Sequence, residues 1–241
     1  SGDDGADVLI NTGTIADFTF EGGADDDLLQ NDATGLITNI NFSGDDGFDL
    51  VVNAGALGDL TFTGGADDDV LRNLDSASIS TLSFVGDDGK DSLFNAGELT
   101  VLTFEGGADD DLLRNLSDGI LVDLNFAGDD GVDSLVNAGA ITELTFEGGA
   151  DDDLLLNTGT IYDSLDFTGD DGADVLINRG IVEALFFTGG ADDDLLINSN
   201  SVSELSFSGG ADEDVLQNSG SVIDSVLFLG GADDDVLINF G

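Results

Sequence analysis

Apolar and polar residues alternate over short runs along the chain, and the runs recur. In "ADVLIN" and "ADFTFE" apolar residues fall at every second place, and Gly, Asp, Asn and Ser cluster at either end. Alternation over so few residues marks a half-buried β-strand, and such clusters mark turns. The pattern predicts an all-β chain with two or three strands of three to five residues in each repeat.

The repeat is explicit. A Gly-opened acidic motif begins at Gly2, Gly22, Gly44, Gly64, Gly86, Gly106, Gly128, Gly148, Gly169, Gly189, Gly209 and Gly230, at intervals of 20–22 residues. The unit reads G-[GD]-[AD]-[DG]-x-D-x-L-x-N, then a turn often carrying Gly, an apolar residue, and L-x-F. Strands this short cannot bury an apolar face alone, but stacked on identical neighbours they can. The expected fold is a parallel β-solenoid (β-helix or β-roll) of about 12 coils of 20–22 residues, with 1–241 as a single repeat array. At the ~4.8 Å spacing of paired strands the rod is ~58 Å long.

Counting from the opening Gly, position eight is Leu in every copy except Val51, and a Phe recurs eleven times from Phe20 to Phe228. Both have the parity of buried residues and predict stacked columns in the core. Position ten is Asn in all twelve copies, from Asn11 to Asn239. An inward Asn before a turn predicts a ladder, each amide bonded to the Asn above and below and to backbone groups freed by the bend.

Composition narrows the chemistry. The chain has no Cys and no His, so the side chains that hold zinc or copper are missing, as are Ser-His-Asp and Cys-His constellations. Only Arg72, Lys90, Arg114 and Arg179 are cationic, against 52 acidic residues. Binding to nucleic acid or to an anionic lipid surface is excluded on that ground. No apolar run is long enough to cross a membrane as a helix, and the opening residues are not expected to act as a signal peptide. The charge of −48 argues for disorder, but 41% hydrophobic residues can supply a long, narrow core if the charge is neutralised.

Most of the acid falls at one corner of the coil. Position six is Asp in every copy: Asp7, Asp27, Asp49, Asp69, Asp91, Asp111, Asp133, Asp153, Asp174, Asp194, Asp214 and Asp235. Copies of the type G-D-D-G-x-D add a candidate ligand at position three: Asp4, Asp46, Asp88, Asp130 and Asp171. Copies of the type G-G-A-D-[DE]-D add one at position four: Asp25, Asp67, Asp109, Asp151, Asp192, Asp212 and Asp233. The two types alternate through the tenth copy. Forty-eight net charges over twelve coils is four per coil, roughly 0.8 per ångström at the strand spacing. Duplex DNA, at about 0.6 per ångström, already condenses counterions. Carboxylates with turn carbonyls, and no nitrogen or sulfur donors, make a hard-oxygen site suited to Ca²⁺ more than to Mg²⁺. The expectation is a ladder of Ca²⁺ ions between successive coils.

"GDDGADVLI" and "GGADDDLLQ" resemble the repeats-in-toxin (RTX) nonapeptide G-G-x-G-x-D-x-U-x, each with an acid in place of one glycine. The resemblance implies Ca²⁺ bound by turn carbonyls and the position-six Asp, with the aliphatic residue two places on in the core of a parallel β-roll. The other half of each copy, as in "NTGTI" and "NSGSV", is similar to the N-x-G-x-[IV] turns of adhesin and autotransporter β-helices. That combination implies one calcium turn per coil.

Acids that recur in every coil do not form the unique, tuned constellation of a catalytic centre, so no enzymatic activity is expected. The expected role is a calcium-stabilised structural segment of a large secreted or cell-surface protein: an adhesin stalk, surface-layer or fibre component. The alternative is an RTX-like export and folding module attached to a secreted enzyme or toxin. Ice binding by a Thr row is a third reading, but Thr19, Thr61, Thr103 and Thr145 fall only in alternate coils. The chain opens inside an acidic turn and closes part-way through a copy, reading as an excerpt of a longer array or a unit that stacks end to end. Expected partners are therefore calcium ions and neighbouring repeats or copies; no surface ligand is named by the sequence.

Overall fold

The computed structural model describes residues 5–241, so Asp4 lies outside the described residues. It is an all-β parallel solenoid of about twelve turns. Each coil contributes a short and a long strand. Twelve four-residue strands, from Val8–Asn11 to Val236–Asn239, stack in sequence order into one parallel sheet. Eleven longer strands, from Thr14–Ala24 to Val222–Gly231, stack likewise into the other. Equivalent residues stay in register, so that Phe104 pairs with Phe84 on one side and Phe126 on the other.

The long strands correct the expected length of three to five residues: most run for eleven. Pairing continues past L-x-F into the opening glycine motif, as in Gly107 with Asp129 and Ala108 with Asp130. Gly and Asp are poor strand formers on their own. Here the coils above and below supply a hydrogen-bond partner at every step, so backbone pairing overrides local preference.

Inward residues form continuous columns. Leu29, Leu71, Leu113 and Leu155 at position eight are fully buried, and so is the aliphatic residue two places before each Phe from Phe42 to Phe207, such as Leu102 and Leu124. From Phe20 to Phe207 the rings stack with centroids 4.7–5.1 Å apart and planes within 15°. In the last pair, Phe207 and Phe228, the spacing opens to 5.9 Å and the planes tilt by 36°. The strand spacing, slightly wider than an aromatic thickness, sets this stack.

The Asn ladder is complete. Each Asn Nδ2 donates to the Oδ1 of the next Asn at 2.7–2.9 Å, in an unbroken series from Asn11 to Asn239. Several Oδ1 atoms also accept the backbone N–H two residues on, as at Gly55 and Gly139. The side chain thus closes the turn and links the coils.

A two-coil period lies beneath the single-coil one. Intervals of 20 and 22 residues alternate through the first seven copies. The two extra residues sit after the Asn, where the longer coils insert a β-turn: Gly35 N–H donates to the Asp32 carbonyl at 2.6 Å and Gly119 to Leu116 at 2.9 Å. These longer coils are those of the G-G-A-D type.

Candidate cation site along the acidic corner

Position six has the parity of positions eight and ten, and the structure turns its side chain inward. Asp27 through Asp214 in this column are all at most 2% exposed. Each carboxylate accepts one hydrogen bond through Oδ1, from the backbone N–H of the position-six Asp one coil earlier. These bonds run from Asp7 N–H to Asp27 through to Asp214 N–H to Asp235, at 2.5–3.1 Å. The other oxygen, Oδ2, has no partner in any of the eleven coils from Asp7 to Asp214. An anionic acceptor buried without a donor is the costliest polar arrangement in a protein interior.

The invariant opening glycine explains how this oxygen is housed. A Cβ on Gly106 would overlap Asp111 Oδ2 and lie 2.8 Å from the Gly128 carbonyl oxygen. The same pair, the Oδ2 of a coil's own Asp and the carbonyl of the next opening glycine, flanks every such point from Gly22 to Gly169. The missing side chain is therefore the space that Oδ2 fills. Gly106→Ala is expected to lower the melting temperature markedly, and adding Asp111→Ala to cost less than the sum of the two single changes, since the overlap with Oδ2 is then gone while the contact with the Gly128 carbonyl stays. Thermal melts of the single and double variants check this; additive losses would show that the two positions do not share that space.

Positions two and four carry the bend. Every coil from the second on has both in the left-handed region, one as Gly at φ 113–133° and the other as Asp at φ 69–78°. Asp tolerates this region better than most residues. In G-D-D-G coils Asp takes position two and Gly position four, as at Asp45 and Gly47; in G-G-A-D coils the order reverses, as at Gly65 and Asp67.

The second set of candidate ligands lies elsewhere. Asp25, Asp46, Asp67, Asp88, Asp109, Asp130, Asp151, Asp171, Asp192, Asp212 and Asp233 are all exposed on the rim. Position five is exposed too, and there the acids cap backbone: Asp68 Oδ1 accepts the Lys90 N–H at 2.9 Å and Asp152 that of Ala173 at 2.9 Å. Lys90 also forms an ion pair with Asp110. Between coils the rim forms an open groove lined by Asp151, Asp152, Asp171, Asp192, Asp193 and Asp212. Among the described residues, no three carboxylates converge into one metal-binding cluster. The structure thus separates an inner column, with one free oxygen per coil, from an outer rim of exposed acids.

Burial governs the inner column's protonation. It pushes Asp69, Asp91, Asp111 and Asp153 up to about 8, Asp49, Asp174 and Asp194 to about 7, and Asp133 to about 6. The backbone N–H bond opposes the shift and neighbouring carboxylates add to it. Either a proton on Oδ2 or a cation beside it would relieve the unpartnered charge. The donor chemistry is all oxygen, the kind a hard cation takes: one anionic Oδ2 per coil, with the carbonyl of the next opening glycine nearby.

Residue patterns alone missed the backbone bond to Oδ1 and the reason for the opening glycine. The signal was present, since position six shares its parity with the buried Leu and Asn. Fold and site together define a parallel β-solenoid with a buried carboxylate ladder along one corner. No family model, curated protein or solved structure matches the chain.

Proposed function

We propose that the chain is a non-catalytic, calcium-stabilised structural segment of a large secreted or cell-surface protein, such as an adhesin stalk, a surface-layer component or an extracellular fibre. The observation that carries this reading is the column of eleven buried Asp oxygens without a partner. Its repetition is what a structural ion ladder needs and what a catalytic centre avoids. A divalent ion offsets more of the buried charge than a monovalent one, and the rim acids raise its local concentration. Among the donors present, oxygen alone is available, which favours Ca²⁺. Extracellular Ca²⁺ modules bind weakly, in keeping with a segment that folds only after leaving a calcium-poor cytoplasm. The same property would serve an RTX-like export and folding module, and the chemistry of the ladder is common to both roles.

Circular dichroism in chelator, followed by return to millimolar Ca²⁺ at neutral pH, tests the proposal. The β-signal and melting temperature should fall in chelator and return with Ca²⁺, but not with equal ionic strength of Na⁺. A β-signal and melting temperature unmoved by chelator would remove calcium from the account.

A further inference from the structure

The outer face of the short-strand sheet is built unlike the rest of the surface. Positions seven and nine of every coil point outward there, from Val8 and Ile10 to Val236 and Ile238. None of these twenty-four residues is acidic, although 52 of the 241 residues in the chain are. Apart from two Ser, two Gln and two Arg they are all apolar. In the eighth to tenth coils Leu154, Leu156, Val175, Ile177, Leu195 and Ile197 stand side by side, half-buried by their own column neighbours. The outer face of the long-strand sheet is mixed, with Glu98, Asp123 and Glu143 exposed on it beside Val101, Val122 and Tyr162. A flat apolar strip free of like charge is where two such acidic rods can meet.

We infer that two copies of this chain associate side by side through their short-strand faces. Twelve strands of four residues cover about 58 Å by about 13 Å, or roughly 750 Å² per copy. The pair then buries roughly 1,500 Å², the size of a standard stable interface. Charge selects the arrangement. A two-fold axis parallel to the rod sets position nine of a coil over position seven of the same coil in the partner copy, beside its position five. Two of the chain's four cations, Arg72 and Arg114, occupy position nine. Both lie in coils whose position five is an exposed Asp, Asp68 and Asp110 respectively. Arg72 lies flat on the face, 5.7 Å over the ring of Phe94, within reach of such a carboxylate. In-register pairing therefore gives Arg72 an acid of the partner copy, and Arg114 one that is shared with Lys90, and the aliphatic columns meet as a dry interface between two sheets.

This inference does not rest on the calcium reading. Sedimentation and small-angle X-ray scattering of the whole chain test it, in millimolar Ca²⁺ and separately in chelator at mildly acidic pH, where protons neutralise the ladder. The expected particle has twice the 24.6 kDa chain mass, a doubled cross-section and an unchanged length. Leu156→Glu with Ile177→Glu should give a monomer that keeps its β-signal. Leu156→Thr with Ile177→Thr, which keeps strand preference, should weaken the dimer at least tenfold, and Arg72→Glu with Arg114→Glu likewise. A monomer at tens of micromolar, a dimer of doubled length, or a dimer that survives the Glu and Thr pairs would overturn the inference. So would a monomer that binds apolar beads or neutral lipid vesicles through this face, since the occupant would then not be a second copy.

Discussion

With divalent ions chelated, the melting temperature of this chain is expected to fall as the pH rises through about 6 to about 8. The sign follows from the inner Asp column. In the unfolded chain these carboxyls titrate near 3.8, whereas in the folded chain burial raises eight of them to values between about 6 and about 8. The folded state therefore binds more protons across that interval, so its stability is full below 3.8 and is lost as the pH passes through the folded values. Many acidic domains behave in the opposite way, because their carboxylates are paired. Millimolar Ca²⁺ should flatten or reverse the slope, since an ion replaces the proton beside Oδ2 and acid then competes with it. Thermal melts at a series of pH values, with chelator and with Ca²⁺, check both halves. A melting temperature in chelator that rises with pH would falsify the ladder as an acid-stabilised element.

Breaking the Asn ladder in mid-rod should be the most damaging single polar change. Asn115 accepts from Asn95 Nδ2 and donates to Asn137 Oδ1, each at 2.9 Å, and it is fully buried. Asn115→Leu removes two ladder bonds between buried groups, leaving the Asn95 amide only a 3.4 Å bond to the Ile120 carbonyl and the Asn137 Oδ1 only the Gly139 N–H at 3.2 Å, and should cost about 1–3 kcal/mol for the two together. Asn239→Leu, in the exposed last coil, orphans only the Asn218 amide, which keeps its 2.9 Å bond to the Gly220 carbonyl, and should cost under about 1 kcal/mol. Denaturant melts of the two variants compare them directly. Equal losses would show that the ladder contributes nothing beyond the turn each Asn closes.

The architecture was legible because the repeat writes each inward column twelve times over. Leu at position eight, the recurrent Phe and Asn at position ten could be placed from parity alone, and each stacks as that parity requires. The length of the long strands was not legible, because residues such as Gly107 and Asp129 have weak strand preference and are held by neighbours one coil away. At the acidic corner Asp111 has the same parity as the buried Leu and Asn, and its charge marked it as a ligand. What decides its surroundings is a bond to the Asp91 backbone and the absent side chain of Gly106, both visible only in three dimensions. Positions three and four, grouped by sequence with position six as ligand pairs, lie on the exposed rim, whereas position six is buried.

The alternation of Asp and Gly at the bend also bears on how such an array can grow. Stacking unlike coils separates acids at the same bend position by two strand spacings, about 9.6 Å, close to the distance over which physiological salt screens a charge. Stacking like coils halves that distance and sets glycine on glycine, as where Gly190, Gly210 and Gly231 follow one another. The inserted β-turn at the opposite corner keeps the same two-coil rhythm. The heritable module is therefore a pair of coils, 42 residues long in the first seven copies. Duplications or deletions of whole pairs leave every junction as it was, whereas an odd number of coils brings like against like at the seam.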